Sequence, residues 1–211
     1  MAVDEEESLP SCPVDPPRAA ATQLDNTHAP MTTDSGSPAT PYDYGARQVH
    51  PTGALDPGLV YDAGEDDYLH FLCNYGYDAS KIKLIAASLP GGFSCAANAS
   101  TGLISDLNYP SIAVSELGKA AGGGGRTVTR AVTNVGAQEE ATYTVAVSAP
   151  AGLDVKVTPS KLEFTKGVRT LAFQVSFSGG KDATAKKGAM SGSITWSDGK
   201  HIVRSPFVVT S

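Results

Sequence analysis

The sequence predicts a mainly β protein in which an antiparallel β-sandwich follows a short helical and loop segment. From about Leu103 onward, apolar residues alternate with polar ones at period two, which is the spacing of half-buried strands. Turn signals such as Asn134–Gly136 and Asp198-Gly199 separate these stretches at short intervals. Before Leu103 the apolar residues recur at helical spacing or show no period.

The first sixty residues predict little regular structure. Residues 1–18 contain four prolines and an acidic run, which disfavour helices and sheets, so we expect a disordered leader. Residues 19–60 are rich in Pro, Thr, Ser and Asp and predict loops, with one short strand near Gln48-Val49.

Two helices are predicted next. Acidic residues after Gly64 favour a helix start, and the stop falls near Asn74 and Gly76. The same acidic run lacks the oxygen-ligand spacing of a calcium loop, so no metal site is predicted there. The apolar face of this helix comprises Tyr68, Leu69, Leu72 and Cys73. A second helix is expected from Ser80 to about Ser88, with Ser80 as N-cap. Its residues Ile82, Leu84 and Ile85 are expected to face inward.

Six or seven short strands follow, and their spacing is typical of a sandwich of the immunoglobulin or fibronectin III type. The apolar positions are Val128 and Val132; Tyr143, Val145 and Val147; Leu153, Val155 and Val157; Leu171, Phe173, Val175 and Phe177; Ile194 and Trp196; and Ile202 to Val209. Asp198-Gly199 predicts a hairpin between the last two strands. Trp196 is in phase with Ile194, so it is predicted to be a core residue and not a platform that binds sugar or peptide.

Charge and hydropathy exclude two classes of partner. The net charge is −6, with 14 acidic and 4 basic residues in 1–100 against 8 and 12 in 101–211. An acidic chain without a basic stripe repels phosphate, so no nucleic acid partner is expected. No apolar run reaches 18 residues, so no membrane partner is expected. The acidic start has no apolar stretch of a signal peptide.

The cysteines and one sequon predict covalent features of an exported protein. Cys73 and Cys95 are 22 positions apart, and Cys12 is alone in the leader. A bridge between the first two would contribute about 3 kcal/mol in an oxidising compartment, whereas a cytosolic product would hold two buried thiols. Zinc is not expected, because the chain has no paired metal-ligand spacing. Asn98 begins an N-glycosylation sequon, which is otherwise a polar loop.

No catalytic, cofactor-binding or metal-binding residue is predicted. The four histidines are His28, His50, His70 and His201, and none belongs to a recognisable nucleophile–base motif. No Gly-x-Ser-x-Gly elbow is present. His201, near Asp198 on the final hairpin, is expected to be a polar residue that points outward.

Several longer motifs are similar to one family, in the family's order. They are Ala54–Asp62 (ALDPGLVYD), Asp67-Tyr-Leu with Phe71-Leu-Cys73, Asp106–Ser111 (DLNYPS), Arg126-Thr-Val with Val132–Gly136 (VTNVG), and Trp196–Gly199 (WSDG) through Arg204–Pro206 (RSP). Over residues 20–211 the chain resembles the C-terminal part of plant subtilisin-like serine proteases.

The resemblance implies a domain organisation. Residues 19–62 correspond to the end of a subtilisin-like α/β peptidase domain, 63–102 to a helical linker and 103–211 to a fibronectin type III-like sandwich packed on that peptidase domain. It also supports a Cys73–Cys95 pairing. The chain departs from the family at Gly45-Ala46-Arg47, where the family has Gly-Ala-Gly.

The resemblance also implies what the chain does not carry. The family's catalytic Asp, His, Asn and Ser lie in motifs that would precede residue 20, and no Gly-Thr-Ser or His-Gly-Thr occurs. We therefore expect a non-catalytic C-terminal fragment, an accessory module for a peptidase domain, without a cofactor and located in the extracellular space by resemblance. The alternatives are a truncated record of a full secreted endopeptidase and a stand-alone module that binds protein or glycan.

Overall fold

The period-two segments form two stacked β-sheets in the computed structural model. The model describes residues 25, 27, 29–45, 51–86, 88–115, 117, 125–179 and 189–210. Several predictions fall outside the described residues. They concern the disordered leader with Cys12, the strand near Gln48-Val49, and the residues Arg47, His28 and His50.

The strands assemble into a sandwich, as predicted. They are β1 (Leu59–Val60), β2 (Ile112–Val114), β3 (Arg126–Asn134), β4 (Ala141–Ser148), β5 (Leu153–Thr158), β6 (Lys161–Phe164), β7 (Thr170–Gly179), β8 (Ala189–Ser197) and β9 (Ile202–Thr210). One sheet has the order β1-β3-β7-β5, and the other has the order β2-β9-β8-β4-β6. All neighbours are antiparallel except β2 and β9, which are parallel.

The core lies between the two sheets and is filled by the inward residues of each strand. Trp196 is fully buried and packs edge-to-face against Phe173, with ring centroids 5.2 Å apart. Phe177 and Phe207 make a second edge-to-face pair at 5.2 Å. Such pairs stabilise a core beyond the area that they bury. The prediction that Trp196 is a core residue is confirmed.

Two strands in the C-terminal half have no counterpart among the predicted ones. β2 is only three residues long, and it is stabilised by its parallel pairing with β9. β6 lies between two turn signals, yet it buries Leu162 and Phe164 at the sheet edge beside β4. Both are too short for a periodic pattern to reveal them. The predicted β8–β9 hairpin is present, and Gly199 adopts a φ of +90° in its turn.

A second, smaller core belongs to the helices before the sandwich. The helices are α1 (Pro41–Tyr44), α2 (Pro51–Ala54), α3 (Glu65–Asn74) and α4 (Ala79–Ile85), with a 3-10 helix at Thr101–Asp106. We call α3, α4 and the 3-10 helix the helical unit. α3 begins as predicted, because the Asp67 carboxylate accepts a hydrogen bond from the Gly64 amide at 2.8 Å. Its Leu69 and Cys73 pack around the fully buried Ile82 of α4.

The prediction for α4 was wrong in two respects. The N-cap is Asp78 and not Ser80, because Asp78 Oδ1 accepts the Lys81 amide at 2.9 Å. Ile82 faces inward, but Leu84 and Ile85 are 87% and 62% exposed. Leu84 is two residues after Ile82 and therefore lies on the opposite face of the helix. Ile85 is three residues after Ile82, but it is the last residue of the helix and remains exposed. Within the described ranges, no helix has the length and apolar character needed to cross a bilayer.

Candidate functional site

The segment Asp56–Asp62 lies against the sandwich, and we call this contact the junction. β1 pairs with the end of β3, with Leu59 opposite Asn134 and Val60 opposite Thr133. The Val135 amide donates to the Gly58 carbonyl at 3.0 Å and extends the ladder by one bond. Leu59 and Tyr61 are 0% and 1% exposed and pack in the core between the sheets, so the segment is part of the sandwich.

Gly58 is required where the segment crosses the last strands. Its φ is +75°, a left-handed conformation that other residues adopt only with strain. A Cβ atom at this position would lie 2.6 Å from Tyr143 Oη and 2.7 Å from His201 Cγ. The Pro-Gly of the Asp56–Asp62 segment therefore combines a turn with a close approach of backbone to two side chains.

His201 is held between two carboxylates at the junction. Its Nδ1 lies 2.8 Å from Asp198 Oδ2, and its Nε2 lies 3.1 Å from Asp56 Oδ1. Asp56 Oδ2 also accepts a hydrogen bond from Lys200 Nζ at 2.6 Å. The expectation that His201 points outward was wrong, since its side chain is only 12% exposed. The residues that cover it come from a segment far away in sequence, so the hairpin pattern alone could not show this.

The charges of this cluster stabilise one another. Burial opposes the charge of His201, but the carboxylates of Asp198 and Asp56 prevail and raise its pKa. Burial would likewise raise the pKa of Asp198, but hydrogen bonds from the His201 amide and ring and from the Lys200 amide lower it to about 2. The hydrogen bond from Lys200, followed by His201, lowers the pKa of the Asp56 carboxyl. Burial and both carboxylates raise the pKa of the Tyr143 hydroxyl.

Tyr61 anchors the other end of the segment inside the sandwich. It is 1% exposed, and its hydroxyl makes a 2.6 Å hydrogen bond with Ser205 Oγ on β9. Burial raises the pKa of Tyr61 to about 12, against the opposing effect of the Ser205 hydrogen bond. Because its ring is buried and its hydroxyl is paired, Tyr61 fixes how deeply the segment inserts into the sandwich.

The Asp106–Ser111 motif covers the part of β3 that β1 leaves open. Asn108 Oδ1 accepts the Ala131 amide at 2.9 Å, and Nδ2 donates to the carbonyls of Ala131 and Asp62 at 3.0 and 2.8 Å. Asp106 Oδ1 accepts the Thr129 amide at 2.9 Å. These side chains satisfy backbone groups that a neighbouring strand would otherwise pair.

Arg130 binds the same motif from β3. It is 3% exposed, and it donates to the carbonyls of Tyr109 and Ser105 at 2.9 and 2.7 Å. Burial lowers the pKa of its guanidinium, against the opposing effects of Tyr61 and Asp106. Two backbone carbonyls thus accept hydrogen bonds from a buried guanidinium, which fixes residues 105–109 to β3 beside the junction.

We call His201 and its charged neighbours Asp56, Asp198 and Lys200 the clamp. The Nδ1 atom of His201 is hydrogen-bonded to Asp198 and lies 3.4 Å from the Tyr143 hydroxyl. Its Nε2 atom is within ion-pair distance of Asp56 but makes no hydrogen bond, so the ring is paired with carboxylates. His70 lies apart from the junction, with Nδ1 2.7 Å from the Asp66 carbonyl and its ring edge-to-face with Phe93. Among the described residues, no group of three or more His, Cys, Asp or Glu side chains is placed to hold a metal ion.

The covalent candidates lie in the helical unit. Cys73 and Cys95 form a disulfide in the structure, with Cα atoms 5.5 Å apart, which ties α3 to the loop before the 3-10 helix. Asn98 is exposed in a turn four residues before the sandwich-bound part of the linker begins at Gly102. Sequence reasoning missed the roles of Asp56, Asn108 and Arg130. The available signal was that Asp56 and Asn108 lie in motifs that carry the resemblance and that Arg130 lies between the two parts of another.

Comparison with known proteins gives two concordant results. A fibronectin type-III domain family matches residues 106–209. The CO(2)-response secreted protease of Arabidopsis thaliana is 47% identical over 192 residues, which are 90% of this chain and 24% of that protein. Subtilisin-like protease SBT5.1 of A. thaliana is 46% identical over 195 residues, with the same two shares. Subtilisin-like serine-protease S of Lotus japonicus is 38% identical over 188 residues, covering 89% and 23%. The chain spans about a quarter of the length of these curated relatives.

Proposed function

We propose that the chain is the accessory part of a plant subtilisin-like protease, because it is similar to the C-terminal part of such proteases and a fibronectin type-III domain family matches residues 106–209. In this role the sandwich is a structural module for the peptidase domain that precedes the matching region in the relatives. The partner is that peptidase domain, and no cofactor, nucleic acid or membrane takes part.

The junction is the observation that carries this proposal. The resemblance assigns residues 19–62 to the end of the peptidase domain, 63–102 to a helical linker and 103–211 to the sandwich. The Asp56–Asp62 segment nevertheless contributes a strand and three buried residues to the sandwich. A peptidase domain that ends in this segment would be fixed to the sandwich by core packing as well as by the chain connection.

We further propose that the chain itself does not hydrolyse peptides. The sequence has no Gly-Thr-Ser and no His-Gly-Thr segment, the motifs that carry the family's nucleophile and base. The purified chain should cleave no casein and should not react with a serine-directed fluorophosphonate. Labelling at one site, lost when that residue is replaced, would overturn this part of the proposal.

An extracellular location follows from the same relationship. One relative is described as a secreted protease, and the proposal extends that property to this chain. In an oxidising compartment the Cys73–Cys95 disulfide would persist, and the exposed Asn98 would accept a glycan.

A chimera tests the accessory role. Residues 19–211 would replace the matching region of subtilisin-like protease SBT5.1, to which the chain is 46% identical. We expect secreted peptidase activity from the chimera and none after deletion of 103–211, because the peptidase domain would then lose the module that holds its end. The matched control is Val147→Ser in the chimera, at a residue of β4 that is 40% exposed and pairs with Ile194, outside the junction. Full activity and secretion of the deletion variant would contradict the accessory role.

A further inference from the structure

We propose that an N-glycan on Asn98 packs against exposed aromatic side chains at the end of α3, so that its first sugars cover Tyr75. Phe71, Tyr75 and Tyr77 form this surface, which we call the aromatic row. The inference rests on the proposed extracellular location, because only an exported chain receives such a glycan. It extends that proposal by naming the surface that the glycan covers.

The aromatic row presents three rings of similar orientation. The ring centroids of Phe71 and Tyr75 are 6.4 Å apart at 31°, and those of Tyr75 and Tyr77 are 6.1 Å apart at 24°. Tyr75 lies in the middle of the row, yet it is 60% exposed. Adjoining exposed aromatic side chains are typical of a surface that binds a partner. The face of an aromatic ring carries partial negative charge, so it attracts the C–H groups on the apolar face of a neutral sugar.

The sequence offers one acceptor for such a sugar. Asn98 begins the single Asn-x-Ser/Thr sequon of the chain. It is exposed in a turn, in which the Ala99 amide donates to the Ala96 carbonyl at 3.0 Å. On transfer from a lipid-linked oligosaccharide diphosphate, Asn98 Nδ2 forms a bond to the anomeric carbon of N-acetylglucosamine. The bond from that carbon to the diphosphate breaks, the diphosphate leaves with its electron pair, and the amide loses one proton.

The turn that carries the acceptor lies beside the aromatic row. The Ser100 amide donates a 3.4 Å hydrogen bond to Asn74 Oδ1. Phe71, Asn74 and Tyr75 share one face at the end of α3, because residues three and four apart on a helix are neighbours. Two residues of chain span at most about 7 Å, so Asn98 is within that distance of the contact with Asn74. The first sugars of a glycan at Asn98 therefore begin next to the row.

Two further contacts fix the loop before Asn98 to the aromatic row. Cys95 is joined to Cys73 of α3 by the disulfide, and its Sγ atom lies 3.4 Å from the Tyr77 carbonyl oxygen. Ala99 and Tyr77 both pack against the smaller core of the helical unit. The acceptor and the row thus belong to one cross-linked unit, so a glycan attached at Asn98 stays beside the rings.

Nitration of tyrosines by tetranitromethane tests the inference on the full chain, secreted from plant cells by an added signal peptide. The added signal makes glycan attachment independent of the chain's own location. Intact mass gives the occupancy of Asn98, and peptide mapping gives the nitration rate of each tyrosine. Ser100→Ala removes the sequon at a residue whose hydroxyl makes no capping hydrogen bond. Tyr75 should be nitrated several-fold more slowly in the glycosylated chain than in Ser100→Ala. Tyr42, which is 71% exposed and lies outside the helical unit, should react equally in both.

A relocated glycan and a ring deletion make the result specific. Glu140→Asn in the Ser100→Ala background moves the sequon to the exposed loop between β3 and β4, and Tyr75 should then react as fast as in Ser100→Ala. In proton NMR spectra of the glycosylated chain, ring currents should shift sugar protons upfield, and Tyr75→Ser should abolish the shift. An unoccupied Asn98, equal nitration of Tyr75 with and without its glycan, or equal protection by the relocated glycan would overturn the inference. None of these results would contradict the proposed location, because the added signal imposes export.

Discussion

The sandwich and the junction are held together in different ways. In the sandwich, long ladders run along whole strands, as between β3 and β7 and between β8 and β9, over an apolar core. At the junction the ladder has two residue pairs, and individual side chains carry the rest. Asp56 and Tyr61 anchor one side, and His201 and Asn108 anchor the other.

This difference predicts how each region responds to change. A long ladder spreads its stabilisation over many equivalent hydrogen bonds, so no single bond is critical. The sandwich should therefore be most sensitive to the loss of a large core side chain. The junction depends on a few residues with defined partners, so a single substitution or a change of protonation there should lower the stability of the whole unit by a smaller amount than the loss of a large core side chain. The four predictions below test this contrast.

The largest effect is expected at the centre of the sandwich. Trp196→Ala should lower the free energy of unfolding by about 3–5 kcal/mol, because it leaves a large cavity beside Phe173. Urea denaturation followed by far-UV circular dichroism measures the loss. Ile202→Ala, at a residue 67% exposed on the neighbouring strand, is the control and should cost little. A loss below about 1 kcal/mol for Trp196→Ala would mean that the ring does not support the core.

Loss of the disulfide should lower the stability of the helical unit and leave the stability of the sandwich unchanged. Cys73→Ser with Cys95→Ser removes a cross-link across 22 residues, for which chain entropy predicts a loss of about 3 kcal/mol. Hydrogen exchange should then accelerate in α3 and α4, while amides of β7 keep their protection. Accelerated exchange in both regions would show that they do not unfold separately. A peptide map of the secreted chain under non-reducing conditions tests whether the bridge forms.

A comparison of two glycine positions separates the effect of a steric clash at the junction from the effect of a positive φ alone. Gly58 and Gly76 both have positive φ, at +75° and +101°, but a Cβ atom at Gly76 would contact nothing within 4 Å. Both Gly→Ala variants should bear a backbone cost of about 1 kcal/mol. Gly58→Ala should cost about 1–3 kcal/mol more, since its Cβ collides with Tyr143 and His201. Equal losses of unfolding free energy in the two variants would refute the close approach at Gly58.

The smallest effect is the pH dependence of the clamp. The pKa of His201 is raised on folding, so its contribution to stability is complete below about pH 6.5 and is lost as the pH rises through the raised value. The pKa of Asp198 is lowered to about 2, so its contribution is present above about pH 3.8 and disappears as the pH falls toward 2. The difference in unfolding free energy between wild type and His201→Gln should therefore shrink between pH 6 and pH 9. A constant difference over that range would show that the two carboxylates do not raise the pKa of His201.

The sequence predicts the sandwich better than the junction, for physical reasons. Long strands such as β7 repeat their apolar residues at period two often enough to be recognised, and Phe173 and Phe177 are buried as expected. β1 has only two residues, and its pairing with β3 joins positions more than seventy residues apart, so no local pattern contains it.

Single polar residues were equally hard to predict. His201 lies at a position that alternation assigns to a solvated strand end, and the carboxylate that covers it comes from Asp56. Asp78 and Ser80 both suit an N-cap, and only the hydrogen bond to the Lys81 amide decides between them. For His201 the deciding partner is distant in sequence, whereas for α4 it is a local hydrogen bond that the residue types alone do not assign to one of the two candidates.

The central claim is that the Asp56–Asp62 segment and the sandwich form one cooperative unit, and hydrogen exchange of the Val135 amide tests it most directly. This amide donates to the Gly58 carbonyl, so it is protected only while the segment is docked. The account predicts that, in increasing denaturant, Val135 opens with the same free energy as Val175 in the centre of β7. Exchange of Val135 at the rate of an unprotected amide while Val175 stays protected would contradict it, because the segment would then leave the sandwich independently.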